Sequence, residues 1–184
     1  MPVSVSTLVW GKFLASWIFA AAALVLTFPF WLTVNYLGAP DNGVIAGSYL
    51  GSWVLAGCML AISQTMSALT KNQVIALVLA VIVNFLFFLS GVEYVLGFFR
   101  MFAPAAVVDM VASFSFLVHF GTIAGGLLEM RDVVFFVSVI LLFNVTTILV
   151  VSFRTSGTSR WLKSTQAAYY VLFFLLLLTA FTGL

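Results

Sequence analysis

The 184 residues are 64% hydrophobic and 7% charged, whereas a soluble domain is nearly half apolar and about a quarter charged. A fold in water could not cover that much apolar surface, so the composition excludes an ordinary soluble globular protein. Seven bases against five acids leave a net charge of +2, too small and too scattered for a nucleic-acid partner.

A helix needs roughly 20 apolar residues to cross a hydrocarbon core of about 30 Å, so charge-free stretches mark spans directly. Residues 13–37 lie between Lys12 and the turn Gly38-Ala39-Pro40-Asp41-Asn42-Gly43. This run exceeds the apolar core of a removable signal peptide and is read as a retained helix. Pro29 inside it predicts a kink and a freed backbone carbonyl. The second span is 44–69, closed by Thr70-Lys71-Asn72, and the third is 74–90, where Gly91 and Glu93 announce the water interface.

The interval 94–130 is apolar but interrupted by Arg100, Pro104, Asp109, His119 and glycines at 121, 125 and 126. Lipid does not tolerate irregular exposed backbone, so short interfacial or re-entrant helices shielded by protein are expected there. A fourth span, 133–153, follows Arg131-Asp132. A polar cytoplasmic loop, 154–165, leads to 166–184, whose run Ala167–Phe181 is a possible fifth span with Tyr169 and Tyr170 as interfacial anchors. The fold class expected is an all-α integral membrane protein. It is a bundle of about five transmembrane helices, with the short helices between the third and fourth.

Lys and Arg favour the cytoplasmic side. Placing Lys12 inside also puts Lys71, Arg154, Arg160 and Lys163 inside and leaves Arg100 and Arg131 outside with all the acids. The expected placement is multi-pass in the cell inner (plasma) membrane with a cytoplasmic N-terminus, with Lys12 and Lys71 marking the cytoplasmic face.

Few residues carry chemistry. Cys58 is the sole cysteine, set in an apolar run, which rules out an internal disulfide framework and fits a small buried hydrophobe. A catalytic role would start from His119, the sole histidine, with Asp109 or Glu129 as orienting carboxylate. A working site needs several converging groups, and the sequence supplies no others. Gly11-Lys12 lacks the upstream glycine and following Ser or Thr of a phosphate loop, so any ATP hydrolysis belongs to a partner. No catalytic, cofactor-binding or metal-binding residue is therefore assigned, and the chain is read as a non-enzyme.

Gly47 and Gly51 form a GxxxG step with Ser48 and Ser52 on the adjoining stripe, which suits either a subunit interface or packing inside the bundle. Gln64, Asn84 and Asn144 are polar residues inside spans that either line a pathway or staple helices together. No span holds an ionisable group near its centre, which argues against an ion-coupled carrier.

Several segments resemble the gliding-motility-type branch of the type-2 ABC transporter permeases. They are Pro2-Val3-Ser4 with Gly11-Lys12-Phe13, Gly47-Ser48-Tyr49-Leu50-Gly51, Ser67-Ala68-Leu69-Thr70-Lys71-Asn72-Gln73, His119-Phe120, and Leu127 to Phe136 with its Arg131-Asp132. The resemblance covers roughly residues 2–153 and implies an exporter permease of six spans that works in pairs, driven by a cytoplasmic ABC ATPase subunit that binds ATP. The spans here would match the last four. Only the tail of the ATPase-coupling segment, Pro2 to Thr7, is represented. The partners implied are that ATPase, a second permease subunit or homodimer, and membrane lipid. The alternative expectation is a non-transporting scaffold or assembly subunit, or a fragment of a longer permease.

Overall fold

The computed structural model describes residues 4–126, 129–155 and 173, and every described element is an α-helix. In chain order these are α1 (Val5–Val25), α2 (Phe28–Leu37), α3 (Asn42–Leu69), α4 (Gln73–Leu89), α5 (Glu93–Arg100), α6 (Ala105–Ser113), α7 (Phe116–Ala124) and α8 (Met130–Thr155). Three helices are long and apolar enough to cross a membrane: Val5–Leu37, Asn42–Leu69 and Met130–Arg154. The number rises to five if the bent pairs α4–α5 and α6–α7 each count as one span. The chain is thus an all-helical membrane protein. The loop expected at 156–165 and the run at 166–184 lie outside the described residues, apart from position 173.

The first span begins earlier than hydropathy indicates. Ser4 caps α1 by accepting the Thr7 amide at 3.2 Å, so the helix is already formed at Val5 and carries Lys12, exposed, on its surface. A charge ends an apolar run without ending a helix. The expected kink lies at Leu26-Thr27, directly before Phe28-Pro29. Proline lacks the amide that would continue the ladder, and its ring crowds the preceding turn. The chain tightens there to i→i−3 bonds, Thr27 N to Leu24 O at 3.0 Å and Phe30 N to Thr27 O at 2.9 Å. Tyr49 of α3 donates its hydroxyl to the Thr27 carbonyl at 3.1 Å, patching the break from outside.

The third helix lies where it is expected, α4 matching 74–90 to within one residue, but its 17 residues, about 25 Å at the helical rise, fall short of the hydrocarbon thickness. The chain then turns by 76° into α5. α6 and α7 meet at 55°, giving the short helices expected between 94 and 130. α8 starts at Met130 rather than 133 and runs through Arg154.

The interior is organised around α3 and α8, which run parallel. Cys58 Sγ lies 3.4 Å from the Phe136 carbonyl, Thr65 Oγ1 donates to the Phe143 carbonyl at 2.9 Å, and Arg154 Nη2 donates to the Leu69 carbonyl at 2.6 Å. That last contact sets a cation at the negative end of α3. In lipid the tails are as apolar as leucine, so helices associate through close packing and polar ties rather than through apolar burial. Gly57 shows the packing: a Cβ there would lie 2.9 Å from Trp17 Nε1 and 3.0 Å from Ile140 Cδ1. Its absence lets α1 and α8 both press on α3. Trp17 and Trp53 then stack at 4.4 Å, and each indole N–H donates to the other residue's carbonyl, at 2.9 and 3.3 Å. Phe13, Ile62, Phe116, Phe135, Phe136 and Val139 fill the centre.

Candidate functional site

Gly126 adopts φ +82°, a left-handed conformation suited to glycine, and turns the chain back from α7 toward α8. α7 and α8 consequently run antiparallel, and His119 meets the first turn of α8. His119 Nδ1 lies 2.6 Å from Asp132 Oδ1, and both side chains are 3% exposed. His119 Nε2 lies 2.9 Å from the Ser113 carbonyl, at the end of α6. The ring stacks on Phe135 with centroids 4.0 Å apart, and Phe136 meets its edge at 6.2 Å. Asp132 sits in the first turn of α8, where the helix dipole favours a negative side chain. Its second oxygen, Oδ2, is buried without a hydrogen-bond partner among the described residues.

The expected orienting carboxylates are therefore corrected: Asp109 and Glu129 are both exposed, and the partner of His119 is Asp132. Asp132 is 13 residues from His119, too far to meet on one helix. The signal that could have found it is the glycine pair Gly125-Gly126, which closes a hairpin.

α7 is seated on α3 by the GxxxG step. A Cβ on Gly47 would collide with the Ile123 carbonyl oxygen, and one on Gly51 would lie 3.2 Å from Ile123 Cγ2 and 3.3 Å from Phe120. Ser48 Oγ bonds the Val44 carbonyl at 2.8 Å and approaches the Ala124 carbonyl at 3.4 Å. Both glycines thus pack inside the bundle against α7. Ser52 is half-buried beside the Thr27 break, in a groove of about 390 Å³ shared with Tyr49 and Phe30. On the other side of α7, a Cβ on Gly91 would overlap the Ser115 side chain. Phe87 of α4 stacks on Phe116 at 4.9 Å.

The polar span residues are not brought together. Gln64 donates to the Val9 carbonyl at 3.0 Å and ties α3 to α1. Asn84 donates to the Ala80 carbonyl at 2.8 Å and approaches Ser63 Oγ at 3.3 Å, lining a groove of about 420 Å³ between α3 and α4. Asn144 is fully buried and donates to the Ile140 carbonyl at 2.9 Å. Oδ1 of both asparagines is buried without a partner among the described residues. Thr65 and Thr147, a polar contact the sequence did not single out, meet at 2.9 Å between α3 and α8. Lys12 and Lys71 are exposed toward the end of the bundle where Arg154 holds Leu69. Among the described residues no three His, Cys, Asp or Glu side chains converge as metal ligands. His119 and Asp132 form a lone two-residue pair.

Comparison with protein families, with characterised proteins and with solved structures returned no match.

Proposed function

We propose that this chain is the membrane-spanning permease subunit of an ABC-type exporter, driven by ATP hydrolysis on a separate cytoplasmic subunit. The observation that supports it is convergence. Three segments that carry the permease resemblance, Gly47–Gly51, His119-Phe120 and Arg131-Asp132, are far apart in the chain and meet around α7. A family signature that assembles into one packed feature is more telling than the same residues scattered over a lipid-facing surface. In this reading the end bearing Lys12, Lys71 and Arg154 faces the cytoplasm of a plasma membrane and meets the ATPase. The polar groups inside the bundle are largely tied to neighbouring helices. A substrate route would therefore run between two copies, along the α3–α4 groove bordered by Asn84 and Ser63.

Purification from native membranes in mild detergent is expected to recover the chain with a cytoplasmic ATPase. Deleting the chain should abolish ATP-dependent export of the cognate substrate. Repeated recovery without any ATPase, with export intact in the deletion strain, would overturn the proposal.

A second reading, a non-transporting scaffold, has one observation in its favour: Gln64, Thr65 and Thr147 all serve helix-to-helix hydrogen bonds. The two separate on a transport assay. A variant with an intact bundle but an occluded α3–α4 groove, such as Val81→Trp at an exposed groove residue, leaves export unchanged if the chain is a scaffold and abolishes it if the chain is a permease.

A further inference from the structure

We infer that His119 and Asp132 form a proton-binding site that holds the short helix α7 in place, its two groups sharing a single proton. The inference follows from hydrogen-bond geometry and does not depend on the exporter proposal. The Ser113 carbonyl can only accept, so His119 Nε2, 2.9 Å away, carries a hydrogen. Nδ1 faces Asp132 Oδ1 at 2.6 Å, a separation at which two lone pairs would repel. One proton therefore lies between them, either as imidazolium with carboxylate or as neutral imidazole with carboxylic acid. In both forms the buried pair is neutral overall, which suits a site that is 3% exposed.

Changing the proton count in either direction breaks this arrangement. Removing the shared proton leaves the Nδ1 lone pair facing a carboxylate oxygen. Adding one leaves a net positive charge sealed among Phe116, Phe135 and Phe136. The surroundings supply little compensation. α7 carries no other ionisable residue and α4 carries none. α3 offers Tyr49, bonded to Thr27, and Cys58, bonded to Phe136. α8 offers Arg131, the residue preceding Asp132, and Arg154 at its far end. Asp109 of α6 and Glu129 before α8 are exposed. Since the pair joins α6, α7 and α8 at one point, losing it removes the polar clasp on α7 and leaves only apolar packing, the glycine seat on α3 and the Phe116 ring against α4 and α8.

The test is amide hydrogen exchange of the segment 116–126 in the full chain, reconstituted in lipid nanodiscs and followed across pH with correction for intrinsic chemical exchange. Wild type is expected to be protected in a middle window and to lose protection on both sides, by up to about tenfold per pH unit, as one-proton linkage requires. Asp132→Asn keeps the geometry without the shared proton, because the amide donates to Nδ1 while Nε2–H still serves Ser113. It should stay protected on the alkaline side, where no shared proton remains to be lost, and open only toward acid, where His119 alone takes one up, while Asp132→Ala should be open throughout. A flat wild-type profile overturns the inference. So does the same two-sided loss in Asp132→Asn, or an Asp132→Asn protein open at every pH.

Should the asparagine variant be recovered too poorly, the nitrogen resonances of His119 in the wild type decide. It is the only histidine, so selective labelling gives one imidazole. A bare Nε2 with a fully protonated Nδ1 would refute the shared proton.

Discussion

The two ends of the α3–α8 pair are held by different chemistry. Toward Leu69 the ties are neutral hydroxyls and carbonyls, Thr65 with Thr147 and Phe143, closed by Arg154 on the end of α3. Toward Asn42 the two helices are joined through α7, by a glycine notch on one side and a buried ionisable pair on the other. Neutral ties do not depend on protonation and fail only one at a time. A glycine notch with an ionisable clasp is conditional: it holds while the backbones can touch and the pair keeps its proton. The first arrangement suits a fixed hinge, the second a part that leaves and returns.

The strongest way to break this contrast is to fill the notch. Gly47→Leu places side-chain atoms where the Ile123 carbonyl lies, and such overpacking costs about 3 kcal/mol. Chemical denaturation in detergent should register that loss, while the Leu69 end keeps its own cross-links between engineered cysteines. A smaller effect is expected at the α1–α3 contact. Trp17→Phe removes the indole donor to Trp53 but leaves a ring in the stack, for a loss of about 1 kcal/mol in the same titration. The hydroxyl tie is weaker still. A double-mutant cycle of Thr65→Val and Thr147→Val should give a coupling of about 0.6 kcal/mol, the usual scale for such bonds in a bilayer. Lys12→Gln, on the exposed face of α1, is expected to change stability by less than about 0.5 kcal/mol. Loss of a co-purifying ATPase on that substitution without an effect on stability would support the proposal that this end meets such a partner.

Much of the helical layout was legible because hydropathy and helix length are set by the same bilayer. Pro29 announced the break before α2, and the turn at 38–43 announced the hairpin into α3. α4 was legible in part. Gly91 and Glu93 announced its end, but the 76° turn into α5 and the nesting of Gly91 against Ser115, a contact with a distant segment, are not registered by hydropathy. The candidate site was legible by half. His119 stood out as the lone histidine, but its partner was hidden because a carboxylate beside an arginine at the head of an apolar run looks like an interfacial residue. Only the hairpin at Gly125-Gly126 turns Asp132 inward. The glycines at 47 and 51 were visible, while the choice between an external and an internal partner required the position of α7.

The stacked indoles of Trp17 and Trp53 give the molecule an optical gauge of its own. Two chromophores stacked 4.4 Å apart and nearly parallel, at 12°, couple their electronic transitions. The difference in near-ultraviolet circular dichroism between wild type and Trp17→Phe therefore isolates a signal that exists only while α1 and α3 keep this register. Relative sliding of the first two spans, under ligand, nucleotide-bound partner or altered lipid, becomes measurable without attaching a label.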